Sequence, residues 1–266
     1  MKSRTRFSKK DVVVVLGCVV FLLATLGAIG TSGRRRAKEA VCLSNLRQWG
    51  PVFHAFLQDN NGYFDTGWPH PAGEDGFYAG GHHWPITLQE YYRDRNLRFC
   101  PMATVSITSQ PHAAFWAWPR MDLLNPNRYY EPEGSYGKNE WTANQSEELQ
   151  RIPGANWRTP NVKGANNIPL LMDCAWAGGF PEHLDEPPRY DGEMDLAGSE
   201  IRRFCINRHS GYVNSVFLDF SARKIGLKQL WTLKWHREYN TCGDWTTCGG
   251  MHPDDWPEWM RDFEDY

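Results

Sequence analysis

Residue types that could do chemistry are plentiful in this chain, but few sit at spacings that chemistry requires. Nine histidines are present. His82 and His83 share the glycine-rich stretch GGHHW, with no carboxylate three or four residues away to complete a helical ligand set. The metalloprotease H-E-x-x-H, the G-x-S-x-G elbow, the phosphate-binding loop and the dinucleotide fingerprint are all absent. His209 and Asp219, with nine residues between them, form a pair that a hairpin could bring together for proton transfer. The structural alternative, which turn chemistry favours, has Asp219 organise the turn while His209 or Arg208 hydrogen-bonds into it. The acid pairs Asp185-Glu186 and Asp254-Asp255 offer oxygens to Ca²⁺, but at no regular ligand spacing. No catalytic residue is assigned, and the chain reads as a non-enzyme.

Cysteine is the stronger signal. Of seven cysteines, Cys18 lies inside an apolar run and reads as a small apolar side chain. The other six are Cys42, Cys100, Cys174, Cys205, Cys242 and Cys248, an even number that fits disulfides in an oxidising compartment. Sequence does not choose strictly among the pairings. The expected ones are Cys42–Cys100, Cys174–Cys205 and Cys242–Cys248, the last closing a short loop. Metal–thiolate binding is the rival, and the lack of any C-x-x-C or common closed zinc spacing counts against it, so no metal ligand is assigned. Thirteen tryptophans also need an account. Trp116, Trp118, Trp141, Trp157, Trp176, Trp245, Trp256 and Trp259 either present stacking faces or fill a core. The scarcity of other large apolar residues between 63 and 190 favours packing.

Elements must position these residues. Residues 12–29, VVVVLGCVVFLLATLGAI, carry no charge and would rise roughly 27 Å as a helix, close to the hydrocarbon thickness of a bilayer. A transmembrane helix is therefore expected over 12–31, between a basic cytoplasmic N-terminus over 1–11 and a periplasmic or extracellular domain over 32–266. The flanking bases (Lys2, Arg4, Arg6, Lys9 and Lys10 before; Arg34, Arg35, Arg36 and Lys38 after) vote weakly for that orientation in an inner membrane. A signal peptide cleaved after Gly30 is the alternative, and the length of the run favours an uncleaved anchor. A net charge of −2 argues against a nucleic-acid partner, and a mean hydropathy of −0.60 excludes a polytopic membrane protein.

Residues 34–58 continue as an amphipathic helix with Cys42, Leu46, Trp49, Phe53, Phe56 and Leu57 on one face. Pro51 predicts a kink or local break, and DNNG at 59–62 a stop. Short elements follow: a helix near 86–94, a strand over 168–173, a strand over 212–219, and a tight connection at Phe220, Ser221 and Ala222. A second strand over 223–226 and helical spacing at Leu227, Leu230, Trp231 and Trp235 close the pattern.

This architecture is similar to that of type IV prepilins and type II secretion pseudopilins. The segment VCLSNLRQWGPVFHAFLQDNNGYF at 41–64 resembles the post-anchor helix of prepilin-like proteins abundant in Planctomycetes and related bacteria. Those proteins also carry a histidine, nine residues and Asp-Gly; here RHSGYVNSVFLDF supplies His209 and Asp219, with Phe220 replacing the glycine. GLKQLWTLKWHREYNT at 226–241 looks like the tail of one branch of the group. The resemblance covers residues 6–64 and 160–245. It implies a loop-rich α+β, pilin-like fold, a long N-terminal helix packed on a small antiparallel sheet. The implied function is a membrane-anchored, non-catalytic structural subunit or accessory of a pilus- or type II secretion-like assembly. Its partners would be the membrane and other pilin-like subunits. Phe7 and Asp11 would be its assembly residues, the Asp11 carboxylate neutralising a neighbour's N-terminal amine. Arg6 stands where the group has glycine and Asp11 where it has glutamate, a degenerate cleavage site. Phe220 implies a turn geometry different from the group's. No cofactor is implied beyond the Ca²⁺ that C-terminal loops of major pseudopilins can bind. The alternative is a membrane-tethered extracellular module whose tryptophan-rich loops recognise polysaccharide or protein; an anchored enzyme comes third.

Overall fold

The structure, a computed structural model, describes residues 8–67, 84–106, 113–118, 133–193 and 198–266; for residues 23–29, 31, 105, 106 and 113 the description extends to the backbone only. Phe7, Arg6 and the His82-His83 pair lie outside the described residues. Helix α1 spans Lys9–Asp59. Ser8 caps it: its hydroxyl accepts from the Lys10 N–H, and its own N–H donates to Asp11 Oδ2 at 2.9 Å. The helix passes through Pro51 without ending. Pro51 lies on the exposed side, as does Arg47, whose carbonyl loses the helical N–H that a non-proline residue at 51 would offer. The face foreseen from spacing is the buried one: Cys42, Leu46, Trp49, Phe53, Phe56 and Leu57 are all in the core.

Among the described residues no helix is long and apolar enough to cross a membrane. The expected transmembrane helix over 12–31, and with it the single-pass inner-membrane placement with a cytoplasmic N-terminus and periplasmic domain, is corrected accordingly. The described apolar side chains of α1 run over residues 12–22, which rise about 16 Å, half of a hydrocarbon layer. The same helix then continues through Arg34, Arg35, Arg36 and Lys38.

Among the described residues seven strands follow: β1 (Val105–Ser106), β2 (Trp116–Ala117), β3 (Tyr136–Asn139), β4 (Pro169–Asp173), β5 (Gly178–Gly179), β6 (Tyr212–Phe217) and β7 (Ala222–Gly226). β1 and β2 pair in parallel; the other five form one sheet in the order β5-β3-β4-β6-β7. The sheet is mixed, since β3 and β5 run parallel, where a purely antiparallel sheet was expected. The β6–β7 hairpin and β4 fall where the apolar runs placed them. The helix foreseen over 86–94 shrinks to α2, Trp84–Thr87, and a 3₁₀ turn at Arg95–Arg98. Only Trp84, Pro85 and Leu88 of the stretch 84–92 are buried, too few to hold a longer amphipathic face.

Period-two alternation splits the core across the sheet. On β6, Val216 faces α1, and Val213 and Phe217 face the opposite layer, where Phe204, Leu230, Trp231 and Trp235 pack. An irregularity between Pro169 and Leu171 in β4 lets both Leu170 and Leu171 reach the α1 side. Gly50 brings α1 against the β6–β7 turn: a Cβ there would lie 3.1 Å from Phe220 Cβ. Phe220 itself adopts φ +62°, the left-handed conformation a glycine takes readily, so the turn keeps a glycine-type backbone despite the substitution.

Candidate functional site

Four elements of distant sequence converge beneath the middle of α1. Cys42 is the first fully buried residue of the helix's packed face. Asp173 ends β4 and sits opposite Tyr136 of β3 in the antiparallel ladder, so both side chains point at α1. Cys100 follows the 3₁₀ turn at Arg95–Arg98, where its N–H donates to Ser135 Oγ at 2.6 Å. Arg208 and His209 lead into β6. Cys42, Cys100, Asp173 and His209 are each 4% exposed or less.

Their polar atoms meet. His209 Nε2 lies 3.1 Å from Asp173 Oδ2 and 3.4 Å from Cys100 Sγ. The Cys42 thiol lies 3.5 Å from both Asp173 oxygens, and Tyr136 Oη donates to the Cys42 sulfur at 3.4 Å. One donor atom from each of Cys42, Cys100, Asp173 and His209 lies within 4.8 Å of the others. Arg208 is fully buried and uses its whole fork: Nε donates to the Ala114 carbonyl, Nη1 to the Ser135 carbonyl and Asp173 Oδ1, and Nη2 to the Trp116 and Cys174 carbonyls. It thereby fixes one Asp173 oxygen; the Asn214 N–H fixes the other at 2.9 Å.

The electrostatics follow. Burial alone would raise the Asp173 carboxyl, yet His209, Arg208 and the Asn214 N–H hold it well below the usual range. Burial would lower His209, but the Asp173 carboxylate lifts it to about 10. Burial would raise Cys100, but hydrogen bonds from Cys42 and His209 and the Arg208 charge bring it down to about 7. Cys42, buried and facing Asp173, is pushed up.

A thiol beside an imidazole and a carboxylate invites comparison with a catalytic triad. Triad histidines use opposite ring nitrogens for nucleophile and carboxylate. Here Nε2 faces both. The sulfur is also shut off from solvent. A surface cavity of about 210 Å³ lies elsewhere, between Gly211, Gly226 and the C-terminal residues Phe263 and Tyr266. The cluster therefore does not have the geometry of such a triad.

The other expected site residues scatter. Asp219 organises its turn, accepting from Ser221 N at 3.0 Å and Ser221 Oγ at 2.6 Å. The length of β6 separates it from His209, roughly 20 Å of strand, so the proton-transfer pairing does not form. Cys242–Cys248 is a disulfide. Cys42 and Cys100 are neighbours as free thiols, and Cys174 and Cys205 are buried free thiols, in place of the two disulfides expected. Asp185 accepts from the backbone N–H groups of Glu182 and Ile201, Glu186 pairs with Arg202, and Asp255 accepts from His252 N–H. Those acids serve local caps and bridges and form no cation cage. None of the described tryptophans is exposed; Trp176, Trp245 and Trp259 are half-buried against the core. Sequence reasoning brought Cys42 and Cys100 together as a disulfide but missed their convergence with Asp173 and His209, because the four stand at 42, 100, 173 and 209 with no local spacing to betray them. Comparison with protein-family models, curated proteins and solved structures finds no match for the chain.

Proposed function

We propose that the chain is a non-catalytic structural subunit of a pilus-type assembly, in which copies associate through the first half of α1. The observation behind this reading is the contrast between the two halves of one helix. Beyond Val41 the apolar face packs on the chain's own sheet. Before it, Val12, Val13, Val14, Val15, Leu16, Val19, Val20, Phe21 and Leu22 stand 47–69% exposed on all sides. A contiguous apolar surface of that kind marks an interaction site. Burying it is worth on the order of 10 kcal/mol, about what association entropy costs, so one helix–helix contact is marginal and several per subunit are favoured. Asp11, at its N-terminal end, is engaged with Ser8 in the helix cap. Sedimentation of the full chain tests the reading. Wild type should form large species, and Val13→Asp with Leu16→Asp should be monomeric with an unchanged melting curve. A monomeric wild type at all concentrations would sink it.

A further inference from the structure

We infer that Cys42, Cys100, Asp173 and His209 form a closed structural zinc site that staples α1 to the sheet. Four observations carry this. First, the ligand set suits the ion: two sulfurs, one imidazole nitrogen and one carboxylate oxygen are ordinary zinc donors, whereas thiolates do not suit Ca²⁺ or Mg²⁺. Second, three of the six ligand–ligand spacings fit the edges of a tetrahedron around zinc. Bond lengths of about 2.3 Å to sulfur and about 2.0–2.1 Å to nitrogen or oxygen give edges of roughly 3.4 Å for N···O, 3.6 Å for S···N or S···O and 3.8 Å for S···S. The cluster shows 3.1 Å, 3.4 Å and 3.5 Å for the first two kinds, with every pair inside 4.8 Å.

Third, the charges close. Zinc, two thiolates, one carboxylate, a neutral imidazole and the Arg208 guanidinium sum to zero, as a buried site requires. On binding, the thiols and the imidazolium release their protons to solvent and the ion takes their place. Fourth, the outer shell is already set. Arg208 holds Asp173 Oδ1, leaving Oδ2 toward the cluster, and the Tyr136 hydroxyl rests on the Cys42 sulfur. With all four ligands buried, no open position remains for substrate, so the site is structural. It goes beyond the assembly role: it concerns how the second half of α1 is held, whatever the first half does.

The test uses the full chain purified without chelator and desalted. Elemental analysis should find one zinc per chain, released only by denaturation with chelator. Refolding with Co²⁺ should give the visible ligand-field bands and near-ultraviolet charge transfer of a tetrahedral thiolate site. Cys242→Ser with Cys248→Ser should leave both signals intact, because those thiols lie in the disulfide. Tyr136→Phe removes only a hydroxyl and should weaken zinc about 10-fold. Cys100→Ser should weaken it further and lose part of the charge-transfer band. Folded wild type that takes up neither metal would overturn the inference. So would a Cys42–Cys100 disulfide in the peptide map of native protein, or unchanged affinity in Cys100→Ser.

Discussion

At the residue scale, two buried groups outside the cluster make strong claims on stability. Lys138 of β3 is fully buried, with Nζ 2.7 and 2.6 Å from the two Asp65 oxygens and 3.5 Å from Glu140. Burial would lower its pKa, and the two carboxylates raise it instead. Lys138→Met keeps the length but strands two buried acids, so urea unfolding at neutral pH should show a loss of about 4 kcal/mol. His236 shows the opposite case. Its ring lies 4.5 Å from Trp141 and 5.4 Å from Tyr239, Nδ1 accepts from Glu238 N–H, and Nε2 finds no partner. Burial, with His183 and Lys234 nearby, lowers its pKa to about 4. A folded value below the ordinary 6.5 means the fold favours the neutral ring. This contribution is complete above pH 6.5 and is lost as pH falls toward 4, about 2 kcal/mol after allowing for screening. His236→Gln should flatten that acid slope in melts taken from pH 7 to 4; an unaltered slope would assign it to other groups. The same scale explains what the sequence could and could not disclose. Asp219's turn role was legible because Asp and Ser two residues apart act locally. The Cys42 cluster was legible only in its Cys42–Cys100 pair, because Asp173 and His209 join it only once β4, α1 and two loops are in place.

At the element scale, legibility follows periodicity. α1's packed face advertises a 3.6-residue period, β4 and β6 short apolar runs, and each formed close to where it pointed. β3 (YGKN) and β5 (GG) carry no such pattern; pairing of β3 with β4 and of β5 with β3, and the fit of Gly178 against Lys138 and Glu140, place them instead. Pro51 taught a different lesson. Local chemistry predicted a kink or local break; the helix does not break, because Trp49, Val52 and Phe53 on either side are buried and hold it together. Packing overrides the lost hydrogen bond without abolishing its cost. Pro51→Ala should therefore raise stability by about 2 kcal/mol, as an interior proline costs about 3 and its loss frees the unfolded chain somewhat. A shift of the urea midpoint at constant slope measures it, and a lower midpoint would mean that the proline's ring is itself a packing element.

At the scale of the whole molecule, one helix has two contrasting halves that experiment can separate. Its second half belongs to the fold: Trp49 donates to the Leu97 carbonyl at 3.0 Å and packs edge-on to Trp84 and Tyr92, and Glu39 pairs with Lys224 of β7. Trp49→Ala should cost about 3–5 kcal/mol of folding stability. Val13 and Leu16 stand 69% and 61% exposed, so Val13→Asp and Leu16→Asp should leave unfolding within about 0.5 kcal/mol of wild type while abolishing association. The forces behind association also fix its temperature and salt dependence. The exposed stretch 12–22 carries no charge, so its burial is hydrophobic: assembly should weaken on cooling, strengthen in sulfate and respond little to sodium chloride. Contacts made through the bases Arg34, Arg35, Arg36 and Lys38 would behave in reverse, loosening as salt screens them. Light scattering at fixed protein concentration, scanned over temperature in both salts, distinguishes the two. Dissociation by sodium chloride, with no loss on cooling, would move the interface from the apolar half of α1 to its basic middle.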